Sequence, residues 1–257
     1  MRVVIEKMGI NGEGIGYINR KPVFVDGVLI KEEVDIEVVE NNKTYAIGKV
    51  KKVVKTSPHR CKPKCKIQGR CGACPLMITD YKEQCAIKEA NLKQALIKYA
   101  QVNPRLVKQI IPSELVFNYR NQLKLPFSMN EERQLVTGMY KPNSNYFTQI
   151  DHCVIHDSEL ENVRKAVLKV LNDYRYKSYD YHQKKGLRSL VIRMIDGYAQ
   201  VTLISGDEEL PASMVEAIMQ IKGVKSLWQS VNTVKKTPEI FGPKMVLLAG
   251  ERTIDIA

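Results

Sequence analysis

Long apolar runs are missing from this sequence. No stretch approaches the roughly 18 uninterrupted apolar residues of a membrane span, and the opening MRVVIEKMGINGEG lacks the apolar core of a secretory leader. The expectation is a cytoplasmic protein that does not engage a membrane. Tryptophan is almost absent, one residue in 257, and there is no internal repeat and no low-complexity segment, so solenoid, collagen-like and wholly disordered chains are excluded. Acidic residues are too few to balance basic ones, 28 against 40, which leaves a formal charge of +12 at pH 7. What is present suits an ordinary globular chain: 44% hydrophobic and 26% charged residues, on a length that allows one large domain or two to three small ones.

The excess charge is concentrated. Residues 61–150 carry 14 basic and 6 acidic side chains, whereas residues 151–257 are close to neutral. A localised positive field favours a polyanion, because neutralising phosphates releases condensed counterions and steers association. A basic face kept only for solubility is the competing explanation.

Turn residues and alternation divide the chain. Residues 1–56 read as five short strands, Arg2–Met8, Gly14–Ile18, Pro22–Val25, Val34–Val39 and Thr44–Val54, about the size of a five-stranded OB-like β-barrel. Gly12-x-Gly14-x-Gly16 leads into a strand rather than a helix, so these glycines read as turn and bulge residues, not a nucleotide loop. Residues 57–78 form a cysteine-rich loop. Asp80 and Glu83 stand at capping-box spacing before a helical pattern to Ala100, with Tyr81, Cys85, Leu92, Leu96 and Tyr99 near one face. Within 79–257, strand signals (Gln122–Phe127, Leu135–Tyr140, Leu187–Ile195, Ala199–Ile204, Ser226–Val231, Met245–Leu248) alternate with helical ones (Ser158–Tyr174, Pro211–Ile221). The whole reads as α+β, ending in a mixed α/β domain with an antiparallel sheet. Trp228 is expected inside a buried strand, and no strand signal continues through 251–257.

Cysteines carry the sharpest chemistry. Their spacing is Cys61-x3-Cys65-x5-Cys71-x2-Cys74-x10-Cys85, with Cys153 apart. In a reducing compartment such thiols serve metal or redox chemistry rather than disulfides. Cys65, Cys71 and Cys74 can converge on one inorganic centre in a loop rich in Gly and Lys. The fourth ligand is open: Cys61 completes a four-cysteine zinc site, and Cys153 completes an iron–sulfur cluster. Cys85 reads as a small buried hydrophobe, and His59, His152 and His156 as surface residues or residues behind the ligands.

The string Cys65-x5-Cys71-Gly72-Ala73-Cys74, followed by Tyr81, Gln84 and Lys88, resembles the cluster loop of the bacterial RNA (uracil-5-)-methyltransferases, above all the large-subunit rRNA members with an N-terminal TRAM domain. Gly12-Glu13-Gly14-Ile15-Gly16, Val23-Phe24-Val25 and Ser57-Pro58-x-Arg60 look like TRAM and its exit. Tyr119-Arg120-Asn121-x-x-Lys124, Gly138-x-Tyr140 and Ile150-Asp151-x-Cys153 look like the central domain. The resemblance implies a 4Fe-4S cluster on Cys65, Cys71, Cys74 and Cys153, with Cys61 extra to the pattern. It also implies RNA, large-subunit rRNA, as partner, and methyl transfer from S-adenosylmethionine to carbon 5 of uridine. Lys62, Lys64, Lys66 and Arg70 then touch RNA phosphates or offset the cluster's charge, and Arg120, Asn121 and Lys124 contact RNA from a strand surface. Tyr140 and Tyr146 are candidates for stacking on bases or for the core.

The resemblance stops short of the chemistry. Methylating carbon 5 needs a thiolate to add at carbon 6 and a base to take the carbon 5 proton. The family's nucleophile lies in a Cys-Asn-Pro setting, and no cysteine here precedes Asn. The expectation is an RNA-binding, cluster-bearing portion with no catalytic residues, lacking the domain that binds S-adenosylmethionine. The alternatives are a zinc-stabilised RNA- or ribosome-binding module and one subunit of a split enzyme whose methyltransferase domain is a separate chain.

Overall fold

Strand alternation sets the first half of the molecule. The structure, a computed structural model, describes residues 1–253 apart from 143 and 236, so the last four residues of the expected signal-free tail lie outside the described residues. Two units are resolved, Met1–Glu114 and Leu115–Ala257.

The first unit is built on β1 (Arg2–Val4), β2 (Lys7–Met8), β3 (Gly14–Ile18), β4 (Lys21–Val25), β5 (Glu33–Asn41) and β6 (Ala46–Lys55). They form one sheet in the order β1-β5-β6-β4-β3-β2, antiparallel except for the parallel pair β4 and β6. Five strands were expected and six are found, because the first run changes partner midway. Its Ile5 N–H donates to Glu32 O while Glu6 N–H donates to Ile15 O, so β1 pairs with β5 and β2 with β3. Both edges of the sheet therefore belong to one short segment. Val3, Ile5, Val23, Val25, Val34 and Ile36 form its core. Gly16 is a strand residue, not a turn: a Cβ there would lie 2.3 Å from Val3 Cγ1 and 2.5 Å from the Val4 carbonyl, so only hydrogen fits where the strands cross.

Helix α1 (Tyr81–Ala95) begins where capping predicts, with the Asp80 side chain accepting from Glu83 N–H at 2.8 Å, and it continues as one π-helical turn, Leu96–Ala100. Its expected inner face is not realised. Leu92 is 50% and Tyr99 77% exposed, Cys85 is only half-buried, and Ile87 is the buried residue of the helix. The helix belongs to the first unit, together with the cysteine loop.

The second unit holds β7 (Gln122–Met129), β8 (Leu135–Tyr140), β9 (Phe147–Gln149), α2 (Ser158–Asp173), β10 (Leu187–Ile195), β11 (Tyr198–Ser205), α3 (Ala212–Met219), β12 (Val224–Val231) and β13 (Lys244–Gly250). Its sheet runs β13-β12-β11-β10-β7-β8-β9, antiparallel except between β11 and β12, which α3 connects. Helices α2 and α3 pack on β8, β10, β12 and β13. The alternation that predicted β7, β8 and β10 reflects this one-sided cover: Leu123, Leu125, Leu190 and Ile192 are buried, while Lys124 and Arg193 are exposed. Trp228, expected buried, is half-buried and lines a hollow with Val191, Arg193 and Thr202.

Candidate functional site

The cysteine loop is closed at its neck. Arg60 and Thr79 form an antiparallel bridge, Cys61 N–H donates to Ile78 O at 2.8 Å, Asp80 N–H donates to His59 O at 3.0 Å, and the Thr79 hydroxyl donates to the same carbonyl at 2.9 Å. A buried carboxylate anchors this neck to the sheet. Glu32, fully buried, accepts from Leu29 N–H and Ser57 N–H and receives the Arg60 guanidinium through Nε at 2.6 Å and Nη2 at 2.7 Å. Burial alone pushes the Glu32 pKa up. The Arg60 fork and the two backbone donors reverse that and hold it below the usual carboxylate range. The Ser57-Pro58-x-Arg60 signature thus has a structural role.

Inside the loop, Cys71 and Arg70 N–H groups both donate to Ile67 O, and Gly69 and Gly72 take positive φ, which permits the reversals that carry Cys65, Cys71 and Cys74 on one loop. All three are half-buried, whereas Cys61 is exposed. Lys62, Lys64, Lys66 and Arg70 are exposed along the same loop.

Cys153 lies in the second unit, in the turn before α2. Burial pushes its thiol up, but a hydrogen bond from His156 and the backbone N–H groups of Ile155 and His156 bring it below the ordinary value. His156, 3% exposed, is held in turn by Glu161, whose Oε1 stands 2.6 Å from Nδ1. Arg164 closes the chain, donating through Nε at 3.2 Å and Nη2 at 2.7 Å to Glu161, and also to Thr137 Oγ1, Ile150 O and Asp151 O. Burial raises Glu161 and opposes charging of His156. Hydrogen bonds overcome both: those with His156 and Arg164 lower Glu161 to about 2, and those with Cys153 and then Glu161 raise His156. Sequence reasoning missed Glu161 and Arg164. A signal existed: Arg164 stands four residues after Leu160, three before Val167 and seven before Leu171, on the stripe that α2 buries.

Arg120, Asn121 and Lys124 are exposed at the start of β7. The Arg120 backbone pairs with His156, taking Ile155 O and giving its own carbonyl to Asp157 N–H, so this expected contact group adjoins the Cys153 turn. Lys124 Nζ lies 5.6 Å from the Phe241 ring centroid. Tyr146 is 61% exposed. His59 bonds Asp80 at 2.8 Å rather than a cysteine.

Among the described residues, no three His, Cys, Asp or Glu side chains are gathered closely enough to hold a metal ion. Cys65, Cys71 and Cys74 are three half-buried thiols on the closed loop of the first unit, and Cys153, in the second unit, has a sulfur that accepts hydrogen bonds. Among the described residues no disulfide joins any of the six cysteines, and no helix is long and apolar enough to cross a membrane.

Residues 1–51 match the TRAM domain. A protein described as an uncharacterized RNA methyltransferase from Bacillus cereus (strain ATCC 10987 / NRS 248) is 40% identical over 261 residues, covering 98% of this chain and 56% of that protein. One of the same description from Clostridium tetani (strain Massachusetts / E88) is 30% identical over 256 residues, covering 97% and 55%. The chain thus spans just over half the length of these relatives. In fold it is similar, with a TM-score of 0.70 and 21% identity over 99% of this chain and 56% of the other, to the crystal structure of Pyrococcus abyssi tRNA (uracil-54, C5)-methyltransferase in complex with S-adenosyl-L-homocysteine. Residues 1–51 thus match the TRAM domain, within a chain similar along nearly all of its own length to proteins described as RNA methyltransferases.

Proposed function

We propose that these 257 residues bind RNA, large-subunit rRNA being the reading that the cysteine-loop resemblance favours, and carry a 4Fe-4S cluster, as part of an enzyme that methylates carbon 5 of uridine from S-adenosylmethionine. The observation that carries the proposal is the closed loop that puts Cys65, Cys71 and Cys74 among the exposed Lys62, Lys64, Lys66 and Arg70. Cys153 is the proposed fourth ligand, its sulfur positioned by His156. When bound, the cluster supplies a rigid link among its four thiolates and no step of methyl transfer. The lysines and Arg70 hold phosphates, and Arg120, Asn121 and Lys124 orient the strand. Methyl transfer itself is assigned to machinery outside these residues, since no cysteine of the chain precedes Asn-Pro. A zinc-stabilised binding module is the second reading, favoured by Cys61 lying in the same closed loop.

Anaerobic purification followed by a visible spectrum with iron and zinc analysis tests the metal. Broad absorption near ~400 nm with about four irons per chain is expected, and a colourless protein with about one zinc sinks the cluster. Cys153→Ser should bleach the protein while Cys61→Ser leaves its colour; the reverse result moves the fourth ligand to Cys61. For RNA, removing the charges of Lys62, Lys64 and Lys66 together should weaken binding about tenfold or more at low salt and flatten the log–log salt dependence by roughly 2. A wild-type affinity indifferent to salt would refute phosphate contact.

A further inference from the structure

The face of the second unit's sheet away from α2 and α3 contains a cavity of about 520 Å³, lined among others by Lys124, Ser128, Tyr140, Tyr179, Tyr181 and Arg188. That volume lies within the range of small-ligand pockets, roughly 300–1,000 Å³. We propose that this cavity is a nucleobase pocket, taking one unpaired base of single-stranded RNA against the Tyr140 and Tyr181 rings with its polar edge toward the Tyr179 hydroxyl. The inference rests on the RNA-binding reading above and deepens it.

The pocket is preformed. Arg188 lies over the Tyr179 and Tyr181 rings at 5.1 and 5.6 Å, and its Nη1 donates to Asn232 O, Asn232 Oδ1 and Val234 O, tying the segment after β12 to the aromatic pair. Tyr179 and Tyr181 meet edge to face at 5.0 Å, and Tyr140 is fixed on Phe147 at 5.4 Å. Yet Tyr140 is 47% and Tyr181 51% exposed, so large ring area is held rigid and left to solvent.

One polar atom among the lining residues lacks a partner. The Tyr179 hydroxyl is buried and has no hydrogen-bond partner among the described residues. Such an orphan is costly in a folded protein. A base offers what it lacks, a carbonyl or ring nitrogen in the plane of a π-face that stacks on tyrosine. The charge also fits, since Lys124 and Arg188 outnumber the one acidic lining residue, Glu239.

Full-length chains carrying Tyr181→Ala or Tyr179→Phe, with the unaltered protein, would be titrated with a short mixed-sequence single-stranded RNA and with a duplex of the same sequence. Tyr181→Ala is expected to weaken single-strand binding about tenfold or more and duplex binding about twofold or less. Tyr179→Phe keeps the ring, removes the orphan and should weaken single-strand binding several-fold with an unchanged or higher melting temperature. Wild-type binding matched by both variants overturns the pocket and leaves the RNA reading standing. No RNA binding by the wild type overturns both. Self-association lost in Tyr181→Ala makes the cavity a contact between copies and overturns the proposal.

Discussion

Arg164→Met should lower the unfolding free energy of the second unit by about 3–5 kcal/mol, the usual cost of stranding one member of a buried ion pair. Arg164 and Glu161 are each 2% exposed, and the guanidinium also satisfies two backbone carbonyls and the Thr137 hydroxyl. Methionine fills much of the volume but leaves Glu161 with His156 at 2.6 Å and the exposed His152 at 3.7 Å. Glu161→Leu combined with Arg164→Met should cost less than the single Arg164 change, because no uncompensated carboxylate remains. Denaturant unfolding decides it, and a loss below about 1 kcal/mol would contradict the network's importance. A pH dependence accompanies it. Glu161 has its folded pKa depressed from 4.5 to about 2, so its contribution is complete above about 4.5 and is lost as pH falls toward 2. His156 runs oppositely: its pKa is raised above 6.5, so its contribution is complete below that value and is lost as pH rises through the folded pKa.

The second large effect belongs to Arg60→Met. Arg60 is a quarter exposed, so the expected destabilisation is smaller, about 2–3 kcal/mol. Its consequence is local as well as global. Glu32 keeps only the Leu29 and Ser57 N–H donors, and the neck of the cysteine loop loses its tie to the sheet beside Cys61. Hydrogen exchange should quicken across residues 57–79 before the rest of the first unit, and iron content should fall with it. Unchanged protection in that stretch would show that the bridge between Arg60 and Thr79 holds the neck alone.

Much of the strand framework was legible because one-sided burial writes itself as alternation. Leu135–Tyr140 and Leu187–Ile195 were expected with the bounds they have. The break at Ile5 and Glu6 was not, since a change of hydrogen-bond partner leaves alternation intact. The three-residue β9, Phe147–Gln149, is too short for a period to show. The α1 face misled because its apolar residues are spaced for a helix whether or not anything covers them, and Leu92 and Tyr99 remain exposed. Of the sites, the cysteine loop and its lysines stood out by spacing and charge. Glu32, Glu161 and Arg164 did not, because an acid near a base reads as a surface pair until burial is known. The Tyr179 pocket draws on β7, β8, β10 and two connecting segments, and no local motif joins them.

The route of the first unit's sheet also sets an order of events. Strand β1 is synthesised first, but its partner Glu33–Asp35 appears only some thirty residues later, and β4 waits for β6. Arg60 follows its carboxylate by 28 residues and comes after all six strands. Contacts that close such long loops are made late, and a contact absent from the folding transition state governs escape from the native state rather than arrival in it. Arg60 is therefore expected to act as a kinetic latch: its loss should speed unfolding while leaving the folding rate nearly untouched, shortening the lifetime of the closed cysteine loop.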